Sequence, residues 1–249
     1  EIASCLVGSE MCIRDSYSYG SADEYLQMAY GPAATLTSYH AFVERQITAS
    51  AYLQVLVDEK PYTEDDISKY YDDNADSYAG NGIEKSDVKM VNVRHILIQP
   101  EGKNDDGTYT DEAWAEAEKK ANDLLTEWQN GEHTEDSFAF MAAENSQDPG
   151  SVENGGLYED IYPGKMVDEF DAWCFDPARQ PGDTGIVKTS YGYHIMYFSS
   201  TGEHAYWYVR AEEDYLNELS VSVLQEVAAK FEVTESEQNA AIVDIMQQN

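Results

Sequence analysis

An α+β fold with helical segments on either side of it is predicted for this 249-residue chain. Three observations predict it. Residues 88–98 alternate with β-branched side chains and stop at Pro100, which marks a strand. Beyond it the pattern gives three helices and then two strands flanking Tyr191-Gly192, in the order β, α, α, α, β, β. On both sides, at 21–78 and from about 203 onward, apolar residues recur at helical spacing. The chain is accordingly divided into a segment 1–16, a helical segment 17–88, an α+β domain 89–202 and a helical segment 203–249.

The opening EIASCLVGSEMCIRDS has neither the basic start nor the long apolar centre of a signal peptide, and its character differs from that of the chain beyond residue 16. It resembles translated adapter sequence, so 1–16 is set apart as non-native and the true N-terminus is expected to be missing. Phe42, Gln46, Ala49, Leu53 and Leu56 then fall on one helical face, expected to pack, and Thr63-Glu64-Asp65-Asp66 after Pro61 offers a capped helix start. A helix over 110–130 has Asp111 and Glu112 near its start and Gly131 as its stop, and a second covers 137–145. After a glycine-rich turn come a short helix at 167–175 and strands at 184–187 and 193–198. The tail starts with Tyr206, Trp207 and Tyr208 and continues as an amphipathic helix through Leu216, Leu219, Val223, Leu224 and Val227. There is no internal repeat and no low-complexity linker.

Apolar residues make up 42% and aromatic residues 12%, including 19 tyrosines, which separates the sequence from disordered acidic chains. The net charge of −33, from 48 acidic against 15 basic residues, repels phosphate backbones and anionic lipid surfaces, so no nucleic-acid partner is expected. The same charge keeps the protein soluble and would attract basic unfolded chains. Cys5 and Cys12 lie in the segment set apart, which leaves Cys174 alone and gives neither a disulfide framework nor a metal site. No run of about 18 apolar residues is present, so no membrane span is expected. His40, His133 and His204 lack metal-ligand spacing. The stretch Asn104-Asp105-Asp106-Gly107 resembles a calcium loop, but that alignment places Gly102 and Ala113 at ligand positions, and the site is rejected. No Gly-x-Ser-x-Gly elbow supports a hydrolase. No cofactor and no metal are expected.

Four ordered blocks remain: Val93-Arg94-His95-Ile96-Leu97; Phe138-Ala139-Phe140-Met141-Ala142 leading to Ser146-Gln147-Asp148; Gly164-Lys165-Met166-Val167-Asp168-Glu169-Phe170; and Lys188-Thr189-Ser190-Tyr191-Gly192-Tyr193-His194-Ile195. In these blocks the sequence resembles the parvulins, and most closely the bacterial envelope foldases and chaperones that carry a parvulin domain between helical segments. The resemblance covers nearly half the chain. It implies a small, mostly antiparallel sheet with surrounding helices, plus a helical lobe built from both terminal segments. It implies that His95 and His194 are paired histidines on adjacent central strands, with Asp148 where relatives hold cysteine or aspartate. Met166, Phe170 and Phe175 would line a proline pocket, Thr189 would hold the histidine pair and Tyr191 would border it.

The implied activity is peptidyl-prolyl cis/trans isomerisation, which breaks no covalent bond. The barrier of about 18–20 kcal/mol lies in the amide's partial double bond, so catalysis means favouring the twisted amide over its planar ends. Aspartate at 148 rules out a nucleophile there. Asn154-Gly155-Gly156-Leu157-Tyr158 departs from the family's Gly-Asp-Leu-Gly turn, lacking the acid and the second glycine. Residues 101–111 are acidic with Lys103 as their only basic residue, so no phosphate-specific recognition is expected. The clients would be unfolded or proline-containing polypeptides. The resemblance implies an extracytoplasmic location, in the cell envelope or secreted, with a membrane anchor in the full-length protein. Its alternative is a non-catalytic peptide-binding chaperone on the same fold.

Overall fold

The computed structural model describes residues 21–104 and 107–231, so the segment 1–16 and half of the rejected calcium loop lie outside the described residues. It divides into two compact units: one takes the chain up to Thr63 together with that from Asp214 onward, and the other is Glu64–Glu213.

In the first unit, Ser21 accepts a hydrogen bond from the Glu24 N–H and starts α1 (Ala22–Tyr30), and Thr35 with Ser38 forms a reciprocal cap that starts α2 (Leu36–Asp58). The distal part of α8 (Tyr206–Ala228) belongs to the same unit. Lys60 pairs with Glu226 at 3.1 Å, and the rings of Tyr62 and Tyr215 lie 5.6 Å apart. The face expected to pack is largely open: Phe42 is 53% exposed, Gln46 and Ala49 are exposed, and Leu53 and Leu56 are half-buried. Val57, one residue off that stripe, is the residue of α2 that is buried. Apolar spacing locates the helix; it does not locate the buried face.

The second unit begins with α3 (Glu64–Asp73) and α4 (Ala75–Gly80), which bury Ile67, Tyr71 and Tyr78. Tyr71 stacks on Tyr78 at 4.8 Å and meets the edge of Trp207 at 5.1 Å, and the Trp207 indole donates to the Ser86 carbonyl. These contacts place 64–80 with the sheet-bearing unit although the hydrophobic period changes only at residue 88.

The sheet is antiparallel throughout, in the order β2-β1-β4-β3, with β1 at Lys89–Ile98, β2 at Leu157–Ile161, β3 at Thr184–Thr189 and β4 at Gly192–Ala205. Between β1 and β2 run α5 (Asp111–Asn130), capped by Thr110, and α6 (Glu135–Asn145), capped reciprocally by Thr134 and Ser137. α7 (Asp168–Cys174) follows β2. The strand β2 is not expected from the sequence pattern, in which its start reads as part of a glycine-rich turn, and β4 runs on past residue 198 to the first residue of α8.

Strand alternation sorts the core into two layers. Ile96, Ile98, Tyr193, Ile195 and Tyr197 meet α5 and α6 through Ala121, Leu124, Trp128 and Phe138. On the opposite face Val91, Val93, Met196 and Phe198 meet Phe170 and Cys174 of α7, together with Ile161 and Val187. By the same alternation, His95 and His194 project on the face of α7. No helix of the described residues is long and apolar enough to cross a membrane.

Candidate active site

β1 and β4 are paired so that Leu97 faces His194 and His95 faces Met196. The histidines are therefore diagonal neighbours on one face of the two central strands, with rings 5.1 Å apart, 24° from parallel, and their Nδ1 atoms 3.0 Å apart. Both are buried. Thr189 closes β3 opposite Gly192 and puts its hydroxyl 2.9 Å from His194 Nε2, while the Tyr191 N–H donates to that same hydroxyl. The hairpin is this tight because position 192 has φ of 150° and a Cβ there would stand 2.4 Å from the Ile98 carbonyl oxygen, so only glycine fits.

Asp148 comes from the loop after α6. That loop docks on β1 through the Leu97 N–H to the Ser146 hydroxyl and the Gln147 N–H to the Leu97 carbonyl. The carboxylate lands beside His95, with Oδ2 at 2.9 Å from Nε2. Ser151 donates to the same oxygen at 2.5 Å, as does the Tyr158 hydroxyl at 2.9 Å, and the Gly150 N–H reaches Oδ1. The hydrogen bonds with His95 and then those from Ser151 and Tyr158 outweigh burial and hold the Asp148 carboxyl well below the usual carboxylate range. Burial chiefly, with its bond to Asp148, pushes the Tyr158 phenol up to about 12.

These bonds give the protons a direction. An ionised Asp148 only accepts, so His95 turns Nε2–H toward it, and as a neutral ring it offers Nδ1 as acceptor. His194 then donates from Nδ1, which leaves its Nε2 to accept from the Thr189 hydroxyl. Drawn as neutral rings, the two imidazoles satisfy these contacts aligned in one sense. His194 is held neutral: burial, then the neighbouring His95, lowers its pKa to about 4 against the opposing pull of Asp148.

The Phe170 ring stands nearly perpendicular to both imidazoles, its centroid 5.4 Å from each. Met166 and Phe175 pack half-buried against the same layer. Tyr191 is 59% exposed and reaches the histidine pair through its backbone N–H to Thr189. The remaining predicted site residues, His95, Asp148, His194, Thr189, Met166, Phe170 and Phe175, gather around one face of the sheet.

Sequence reasoning misses Ser151 and Tyr158. Ser151 stands three residues after Asp148 across a Pro-Gly turn, a spacing that could have suggested a hydroxyl beside the carboxylate. Tyr158 carries no such signal, because its position rests on the path of β2. Arg94 helps fix that path: it pairs with Glu135 at 2.9 Å and donates to the Asn154 and Gly155 carbonyls. A cavity of about 340 Å³ in the same unit, lined by Ile83, Tyr162, Tyr206 and Trp207 among others, includes none of the predicted site residues.

A family model described as a PPIC-type PPIase domain matches residues 81–200. Over 106 residues the chain is 31% identical to the foldase protein PrsA 1 of Listeria innocua, covering 43% of this chain and 29% of that one. Over 80 residues it is 44% identical to the foldase protein PrsA of Geobacillus sp. strain WCH70, covering 32% and 27%. Over 107 residues it is 35% identical to the chaperone SurA of Pseudomonas savastanoi pv. phaseolicola, covering 43% and 22%. The matched segment thus spans less than a third of each of these relatives. The crystal structure of PrsA from Bacillus subtilis is similar at 20% identity and a TM-score of 0.41, over 96% of this chain and 77% of that one, a likeness too loose to carry an argument.

Proposed function

We propose, from the match of residues 81–200 to the PPIC-type PPIase domain model, that the protein accelerates cis/trans isomerisation of X-Pro bonds in folding polypeptides. The observation that carries this is the chain of hydrogen bonds through Thr189, His194, His95 and Asp148, set against the apolar layer of Phe170, Met166 and Phe175.

A proline ring gripped by that layer would place its amide beside fixed, pre-oriented polar groups. The twisted amide has lost its resonance, and its oxygen and nitrogen are no longer coupled. Groups already oriented toward it favour that state over either planar one without reorganising. No covalent intermediate is involved: Asp148 is no nucleophile in this reaction, and the Cys174 thiol, buried in the apolar layer, is pushed up to about 12 and stays protonated.

The helical unit, with Phe42, Tyr52 and Val55 of α2 exposed, would hold unfolded segments of the clients. Lys103 lies over the Tyr109 ring in a stretch without another cation, so phosphorylated residues before proline would give no advantage. The foldase and chaperone relatives favour work on exported proteins outside the cytoplasm.

Exchange NMR on a panel of short X-Pro peptides tests the proposal with wild type, His95→Ala and Met166→Ala. Wild type should accelerate exchange, and each substitution should reduce the effect about tenfold or more. A folded wild type that accelerates none of the peptides would leave a peptide-binding domain without catalysis.

A further inference from the structure

Three donors converge on one oxygen of Asp148, and one of them comes from an unexpected direction. His95 and Ser151 reach Oδ2 from within the buried layer, while Tyr158 reaches it from the edge strand β2. Its ring also stacks on His95, with centroids 5.2 Å apart and planes 24° from parallel. A single side chain therefore touches both members of the pair that sets the direction of the protons.

The backbone is shaped to place it there. Tyr158 pairs with Val93 and Ile161 with Val91, so a step of three along β2 matches a step of two along β1. In a regular strand, residues three apart point to opposite faces. Here Asp160 adopts φ of 52° and gives its N–H to the Asn92 side chain, forming a bulge that turns both Tyr158 and Ile161 toward the layer of α7. The space for the hydroxyl is also reserved: a Cβ at position 150 would lie 2.8 Å from the Tyr158 oxygen and 3.5 Å from Asp148 Oδ1.

We propose that Tyr158 is a positioning residue of the isomerase site, whose hydroxyl fixes the Asp148 carboxylate on His95 Nε2–H and thereby holds the whole histidine chain in one tautomeric sense. The proposal rests on the isomerase function above, and its test has a readout independent of turnover. The phenol's bond is to an ionised acceptor, the stronger class of hydrogen bond, so its loss should be felt along the chain.

The experiment uses the full chain as wild type, Tyr158→Phe, Gly150→Ala and the double variant. Imidazole nitrogen shifts report the tautomers of His95 and His194, and exchange NMR on X-Pro peptides reports kcat and KM separately. Tyr158→Phe keeps the ring stack and should shift the ring nitrogens toward mixed tautomers, with kcat lowered roughly tenfold, the scale of one charged hydrogen bond, and KM nearly unchanged. Gly150→Ala should have the same effect by displacing the hydroxyl. Added to Tyr158→Phe it should cost nothing further, because the atom it displaces is gone.

Ring nitrogens in Tyr158→Phe identical to wild type overturn the proposal, whatever the rate. So does an altered tautomer pattern in a variant that still turns over as fast as wild type. Should wild type accelerate none of the peptides, the isomerase function fails while the ring nitrogens still decide the placement of Tyr158. If Gly150→Ala does not fold, Tyr158→Phe alone decides.

Discussion

His194 is kept neutral by burial and by the imidazole beside it, and this ties the stability of the fold to pH. In the unfolded chain the ring takes up its proton near pH 6.5, in the folded protein only near pH 4. Between those values the unfolded state binds more protons, so stability falls as pH drops through the window, by up to about 3 kcal/mol. Asp148 acts in the same sense at lower pH: its folded pKa is depressed, so its contribution is present above its unfolded value of 3.8 and is lost on further acidification. Denaturant titrations at stepped pH should show a loss between pH 6.5 and 4 that shrinks in His194→Gln; an equal loss in that variant would contradict the account. At this scale much of the site was legible. His95, Asp148, His194 and Thr189 stood in ordered blocks, and each is in contact with another of the four. Tyr158 was not legible, because its contact with His95 and Asp148 depends on a bulge two residues further on.

The element that sequence patterning fails to find is β2. Its five residues Leu157–Ile161 contain a bulge, so inward positions are spaced by three and the period of two that identifies β1 is missing. The two glycines before it look like an ordinary turn but answer to a close approach. At Gly156 φ is 75°, and a Cβ would stand 2.2 Å from the His95 carbonyl oxygen and 3.0 Å from the Ala142 Cβ. The His95 N–H donates to the Gly156 carbonyl at 2.8 Å, so the backbone there is pressed directly against the strand that carries the histidine. Gly156→Ala should accordingly cost roughly 3 kcal/mol or more, combining left-handed strain with a backbone clash. Thermal or chemical denaturation measures the cost, and a change under about 0.5 kcal/mol would show that the approach is not needed. The helices are easier to read, since their caps are local: Thr110 and Thr134 each accept a hydrogen bond from the backbone N–H three residues on.

At the scale of the molecule, hydrophobic period places a boundary near residue 88, whereas the compact units divide between Thr63 and Glu64. A change of period marks where strands begin, not which helices pack beside them, and Tyr71 and Tyr78 join the sheet-bearing unit through aromatic contacts that spacing does not encode. Within that unit the two histidines ride on β1 and β4, the strands with a neighbour on each side. Local fluctuations open a sheet from its edges, and central strands release their amide protons only when the whole unit opens. The Ile96 and Ile195 amides, on paired residues of those strands, should therefore exchange with deuterium at the rate set by global unfolding of residues 64–213, with a steep dependence on denaturant. Exchange through shallow local openings would contradict this. A site mounted there does not wear away by degrees under mild stress: the paired imidazoles persist for as long as the unit is folded, and are lost with it in one step.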